Sequence, residues 1–191
     1  MKKKKSRKGF SLFIFLLVCV LVFFGVKIGG NKVMTALYPH KYSELVEKYA
    51  QEYDIDDVLL YSVIRTESGF DPESVSSANA RGLTQITEDT FDWLLMKTGE
   101  TYRFDDLFTP EISIKYGALF LSILQKEYGV TETVVAAYHA GMGNVSSWLA
   151  SSEYSDDGIH LRKIPISDTA HYVNKVMSAM DKYYKLYETE E

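Results

Sequence analysis

The chain has 191 residues, 46% hydrophobic and 25% charged, with a formal net charge of −5. That length and composition fit one ordinary domain with a short appendage and exclude a multidomain machine or a disordered chain. Residues 1–32 hold eight Lys/Arg and no acid, leaving 13 Lys/Arg against 26 Asp/Glu in the other 159 residues, a balance ill suited to a nucleic-acid partner.

In chain order, residues 1–8 form a basic tail carrying Lys2, Lys3, Lys4, Lys5, Arg7 and Lys8. Gly9 to Val26 then run without a charge. As a helix this run spans about 27 Å, close to the hydrocarbon core of a bilayer. The excess of positive charge before the run over Lys27 and Lys32 after it predicts a single-pass cell-membrane anchor over 9–28, with a cytoplasmic N-terminus and the acidic domain outside. A cleaved signal peptide would have a shorter apolar stretch and an A-x-A-like exit. A lipoprotein would use Cys19, but bulky Val18 precedes it and the apolar run continues past it. Cys19 is the sole cysteine, so Cys-ligated zinc and an intramolecular disulfide are excluded.

Residues 29–40, with Gly29, Gly30 and Pro39, read as a linker, and the domain is expected over 41–187. Its pattern is helical almost throughout. A first helix is expected near 41–52. Asp56 should cap a second over about 57–68, in which Leu60, Val63, Ile64 and Glu67 share a face. Residues 69–86 are irregular, with 81–86 as the only candidate extended piece. Thr87 is placed as the cap of a helix near 88–97. Pro110 opens a long helix to Tyr128, with Ile112, Tyr116, Leu119, Phe120, Ile123 and Leu124 inward, and Gly129 ends it. Thr131 should cap a helix to about Ala140. Gly141-Met142-Gly143 reads as a turn before a short helix carrying Trp148, and a last helix covers about 167–187. The fold class is therefore all-α.

Glu67 is the most unusual acid. It extends an apolar stripe and sits in a last helical turn, where unpaired carbonyls present partial negative charge. Both effects favour the protonated carboxyl and should raise its pKa, as a general acid for glycosidic cleavage requires. The alternative is an acid that frays into solvent or pairs with Arg65 or Arg81. The four histidines lack any H-x-x-x-H or H-E-x-x-H spacing, so no metal site and no cofactor is expected.

Four ordered blocks then carry a resemblance: Glu67-Ser68-Gly69-Phe70-Asp71-Pro72; Gly82-Leu83-Thr84-Gln85; Ala137-Tyr138-His139-Ala140-Gly141-Met142-Gly143-Asn144-Val145 with Trp148; and Ile164-Pro165 with Asp168-Thr169 and Tyr172-Val173. Together they resemble the soluble lytic transglycosylase (SLT) domain, of goose-type lysozyme-like fold. The resemblance implies cleavage of the β-1,4 bond between N-acetylmuramic acid and N-acetylglucosamine in peptidoglycan, ending in a 1,6-anhydro sugar. It makes Glu67 the single catalytic acid/base, and Ser76, Gln85 and Tyr138 substrate-binding residues. His139, standing where the family carries Asn, joins them, with a local hydrogen-bonding role as its alternative. Thr84 stands where the family has Met. The implied partners are peptidoglycan glycan strands and the membrane, with room for proteins of an envelope assembly. Two rivals remain at this stage: a hydrolytic muramidase on the same fold, where Asp71 would be the candidate second acid, and a non-catalytic peptidoglycan-binding scaffold.

Overall fold

The computed structural model describes residues 32–188. The expected membrane anchor at 9–28 lies outside the described residues, and among those described no helix is long and apolar enough to cross a membrane. The chain divides into two units, Met1–Pro39 and His40–Glu191. In the first, residues 32–37 of the stretch read as linker are helical, and the Tyr38 amide donates to the Met34 carbonyl.

The second unit holds seven α-helices among the described residues: α1 (Ser43–Tyr53), α2 (Asp57–Glu67), α3 (Glu88–Thr98), α4 (Pro110–Tyr128), α5 (Thr131–Ala140), α6 (Met142–Leu149) and α7 (Ser167–Tyr183). A 3-10 helix, Phe104–Phe108, precedes α4. Strands are absent among the described residues. The extended piece expected at 81–86 is an isolated antiparallel bridge between Arg81 and Ile86, with another joining Val75 and Arg81.

Local chemistry explains most boundaries. Asp56 Oδ1 accepts the Val58 and Leu59 amides at 2.8 and 3.3 Å, satisfying two orphan donors at the start of α2. Pro110 opens α4, where its missing N–H costs nothing, and Gly129 closes it at φ 71°. Two expected caps differ. Thr87 occupies the cap position of α3 but spends its hydroxyl on Thr90 Oγ1 at 3.0 Å. Thr131 is the first residue of α5, with Val130 before it. Of the Gly141–Gly143 turn, only Gly141 leaves the helical path, at φ 85°; Met142 and Gly143 already belong to α6. One left-handed glycine suffices, and the Asn144 side chain satisfies the Ala140 carbonyl at 2.8 Å. The final helix changes to a π-helical turn over Tyr184–Glu188.

The core follows from which helices meet. α2 packs on α7, α4 on α1 and α5, and α5 also on α6 and α7. Val134, Val135, Ala136 and Ala137 are accordingly fully buried, making α5 the central helix. Leu60, Val63 and Ile64 are fully buried on α2, each worth about 1.5–3 kcal/mol of apolar burial. The inward face of α4 departs from the expected stripe. Ile114 and Leu121 are fully buried, whereas Ile112, Leu119 and Ile123 are only half-buried. The rotation follows from a second neighbour: the 82–86 strap covers the Ser113–Gly117 side of α4 and buries polar and small residues there. An added Cβ on Gly117 would stand 2.4 Å from Thr84 Cγ2, and one on Gly82, at φ 73°, would stand 2.0 Å from the Leu107 carbonyl oxygen. Glycine at both positions is a packing requirement.

Candidate active site

Glu67 closes α2 on the same side as its buried leucine, valine and isoleucine, and it is half-buried. The chain leaves the helix through Gly69 and Phe70 at φ 59° and 68°. That sharp exit drops Phe70 into the core beside Tyr61, with ring centroids 6.5 Å apart. Ser68 Oγ pins the turn, lying 2.9 Å from the Leu83 carbonyl oxygen.

Packing of α7 on α2 brings the Tyr172 hydroxyl to Glu67, to which it donates at 2.7 Å on Oε1. Burial pushes the Glu67 pKa up to about 7, and the Tyr172 bond pulls it the other way. Desolvation wins because a hydrogen bond from a neutral hydroxyl replaces only part of the hydration that a carboxylate loses. The alternative pairing with Arg81 is not made: Arg81 bonds Asp105 and lays its guanidinium 4.0 Å from the centre of the Phe104 ring.

Two further expected residues stand beside this pair. Tyr138, on α5, donates its hydroxyl to the Thr84 carbonyl at 2.7 Å. Burial and the nearby Glu67 charge both hold the Tyr138 phenol well above its ordinary pKa. His139 packs its ring 4.5 Å from that of Tyr172, and its Nδ1 lies 3.1 Å from Thr169 Oγ1. Burial lowers the His139 pKa, so the imidazole is neutral at neutral pH. It braces the tyrosine that touches Glu67.

The remaining expected residues lie in the 69–86 connection. Gln85, at φ 50°, gives both Nε2 hydrogens to the chain, to the Ser74 and Gly82 carbonyls at 2.9 Å each. Its Oε1 is the end left to accept from a ligand. Ser76 is exposed and closes a turn: its Oγ accepts the Ala80 amide at 3.1 Å. Thr84 is fully buried, donating its hydroxyl to the Ser113 carbonyl at 2.9 Å. Asp71 faces solvent and accepts the Glu73 amide at 3.0 Å.

Next to Tyr138 lies a groove of about 270 Å³, lined by Asp89, Thr90, Trp93, Phe120, Gly141 and Met142. Phe120 joins it to the Glu67 surroundings, its ring centroid 5.0 Å from that of Tyr138. One protonatable carboxyl group, partly shielded and flanked by phenols beside an aromatic-lined groove, is suited to proton transfer on an uncharged, extended substrate.

Residues 44–160, more than half of the chain, match the Transglycosylase SLT domain. The chain belongs to that family. Among its relatives, the membrane-bound lytic murein transglycosylase C of Serratia proteamaculans is 32% identical over 75% of this chain and 47% of its own length. The soluble lytic murein transglycosylase of Salmonella typhimurium is 32% identical over 78% of this chain and 23% of its own. The chain thus spans about half or less of the curated relatives it matches. Among solved structures, the 70 kDa soluble lytic transglycosylase of Escherichia coli superposes with a TM-score of 0.71 at 26% identity, over 80% of this chain and 25% of that one. A complex of the 70-kDa soluble lytic transglycosylase with bulgecin A gives 0.73 at 26% identity, covering 83% and 26%. The lysozyme-like all-helical SLT fold is therefore the fold of this domain.

Within that SLT fold, sequence reasoning passed over three residues. Tyr172 stood in the fourth block, but only the packing of α7 on α2 reveals its bond to Glu67. Phe120 falls on a helical stripe whose spacing predicts core, and Trp93, one of two tryptophans with a face able to stack on a sugar ring, gets no assignment from spacing. Phe120 is in fact buried and lines the groove as well.

Proposed function

We propose that the chain is a membrane-anchored peptidoglycan lytic transglycosylase with Glu67 as its single acid/base. Glu67 carries the proposal: its pKa near 7 puts protonated and ionised forms within reach of each other at neutral pH. With Tyr172 donating to Oε1, the exchangeable proton belongs on Oε2. That proton passes to the glycosidic oxygen as the bond from C1 of N-acetylmuramic acid to the N-acetylglucosamine oxygen breaks. The resulting carboxylate takes the proton of the muramoyl C6 hydroxyl while O6 bonds to C1, closing the 1,6-anhydro ring. Glu67 ends protonated, and water is neither consumed nor released. The nucleophile is already part of the substrate, so no second carboxylate has to hold a water in place. The solvent-facing, turn-forming Asp71 supports this route over hydrolysis. Gln85 Oε1, Tyr138 and His139 are assigned to holding the glycan, and Ser76 to the rim of the cleft.

The same reading divides the chain into a cytoplasmic tail (1–8), a signal anchor (9–28), a linker (29–40) and an extracytoplasmic domain (41–187). Its support is the uncharged run and the charge asymmetry around it, together with relatives named as membrane-bound. Incubation of purified peptidoglycan with the wild-type chain and with Glu67→Gln tests the proposal. Release of soluble muropeptides by the wild type alone is expected; equal release by both would overturn it.

A further inference from the structure

We infer that Trp93 is a sugar-stacking platform, and that the groove it lines seats an N-acetylhexosamine unit of the glycan strand away from the bond that breaks. The inference rests on the proposed function and adds to it a residue that selects substrate. Trp93 lies on α3, half-buried, on the wall of the groove. Its indole is held by two neighbours. Phe120 meets it edge-on at 6.2 Å, and Lys97 Nζ, one turn along the same helix, sits 4.6 Å from its ring centre. A ring so fixed loses little freedom when a ligand packs on it.

The groove's place supports the assignment. Trp93 contacts Phe120, Phe120 contacts Tyr138, and Tyr138 feels the charge of Glu67. The ring contacts therefore lead from the surroundings of the acid to the groove, within reach of an extended polymer cut at Glu67.

Its chemistry specifies the ligand. The lining combines the apolar side chains of Trp93, Phe120 and Met142 with two polar residues, Asp89 and Thr90. Thr90 Oγ1 accepts from Thr87, which leaves its own proton for a ligand. An N-acetylhexosamine matches this set: its C–H face packs on the indole, and its amide N–H and hydroxyls donate to Asp89. A ligand presenting a free carboxylate there would meet the Asp89 charge.

The test uses the full chain in detergent carrying Glu67→Gln, so that binding proceeds without cleavage. Acrylamide quenches the half-buried Trp93 in preference to Trp148, which is 7% exposed. Saturating N-acetylglucosamine hexamer is expected to protect that emission, and a glucose hexamer, lacking the amide, to protect it less. In the otherwise wild-type chain, Trp93→Ala should raise KM for peptidoglycan about tenfold with kcat within about twofold, and Trp93→Phe should recover most of the loss. Absence of protection, or an unchanged KM in a folded Trp93→Ala protein, overturns the inference. Equal protection by both hexamers overturns the N-acetylhexosamine assignment. The quenching measurement leaves Trp93 intact, so it stands even if Trp93→Ala fails to fold. Protection without wall cleavage would keep this site and sink the proposed chemistry; cleavage without protection would do the reverse.

Discussion

The Tyr172 hydroxyl donates a 2.7 Å hydrogen bond to Glu67 Oε1 across 105 residues of sequence, from the buried side of α7 to the last residue of α2. That bond favours the ionised carboxyl, whereas burial favours the neutral one, and burial prevails.

Tyr172→Phe removes the one opposing influence. The Glu67 pKa should then rise further above 7, because the ionised form loses its donor. Glycosidic cleavage needs the protonated acid, so the alkaline limb of the kcat/KM profile should move to higher pH. The maximal rate should fall as the carboxyl loses its orientation. Muropeptide release measured from pH 5 to pH 9 checks this. A limb displaced to lower pH would contradict the assigned hydrogen bond.

Glu67 also makes stability depend on pH. Its pKa of about 7 lies above the ordinary 4.5, so within that window the unfolded chain has released a proton that the folded protein keeps. Stability therefore declines as pH rises from 4.5 to 7, and the loss is complete above 7. Glu67→Gln abolishes the loss. Thermal melts of the variant and the wild type should differ more near pH 8 than near pH 4, the variant being the more stable by up to about 3 kcal/mol at pH 8. A difference independent of pH would contradict a shielded carboxyl.

His139 offers a milder test. Its ring packs on Tyr172 and its Nδ1 meets Thr169 Oγ1, a bracing role that an Asn, the residue the SLT family carries there, can share. His139→Asn should retain activity within about threefold, and His139→Ala should lose more, through Tyr172 and through the glycan contact proposed for this side chain. A large loss in His139→Asn, read as kcat, would mean that the imidazole itself handles a proton.

Gly117 supports the strap that carries Gln85 and the Thr84 carbonyl. Gly117→Ala places a methyl group 2.4 Å from Thr84 Cγ2, with Thr84 locked to Ser113 by hydrogen bonds and unable to yield freely. Destabilisation of about 1–3 kcal/mol is expected from such overpacking. Activity should fall as well, because the Thr84 carbonyl anchors the Tyr138 hydroxyl. Denaturant melts together with wall digestion check both.

Local signals made much of this molecule legible from sequence. Asp56, Pro110 and Gly129 mark helix ends whose backbone groups need those residues, and the Leu60–Glu67 spacing places the acid on a buried face. The unread parts are those set by distant neighbours. The periodicity of α4 misleads because the strap packs on a second side, burying Ser113 and Gly117. The Thr84–Ser113 pairing joins residues 29 apart, and the bond from Tyr172 to Glu67 depends on one helix docking on another. Trp93 escaped for the opposite reason: it stands beside the buried Phe91–Leu94 face of α3 rather than on it, and only the groove next to it gives it meaning.

The most direct test of the account is the mass of the sugar ends released when purified peptidoglycan is digested to completion. Intramolecular attack by the C6 hydroxyl predicts muropeptides ending in anhydromuramic acid, each lighter by one water than a reducing end, and none of them from Glu67→Gln. Reducing ends as the main product would contradict it, because water rather than the substrate's own hydroxyl would then be the nucleophile.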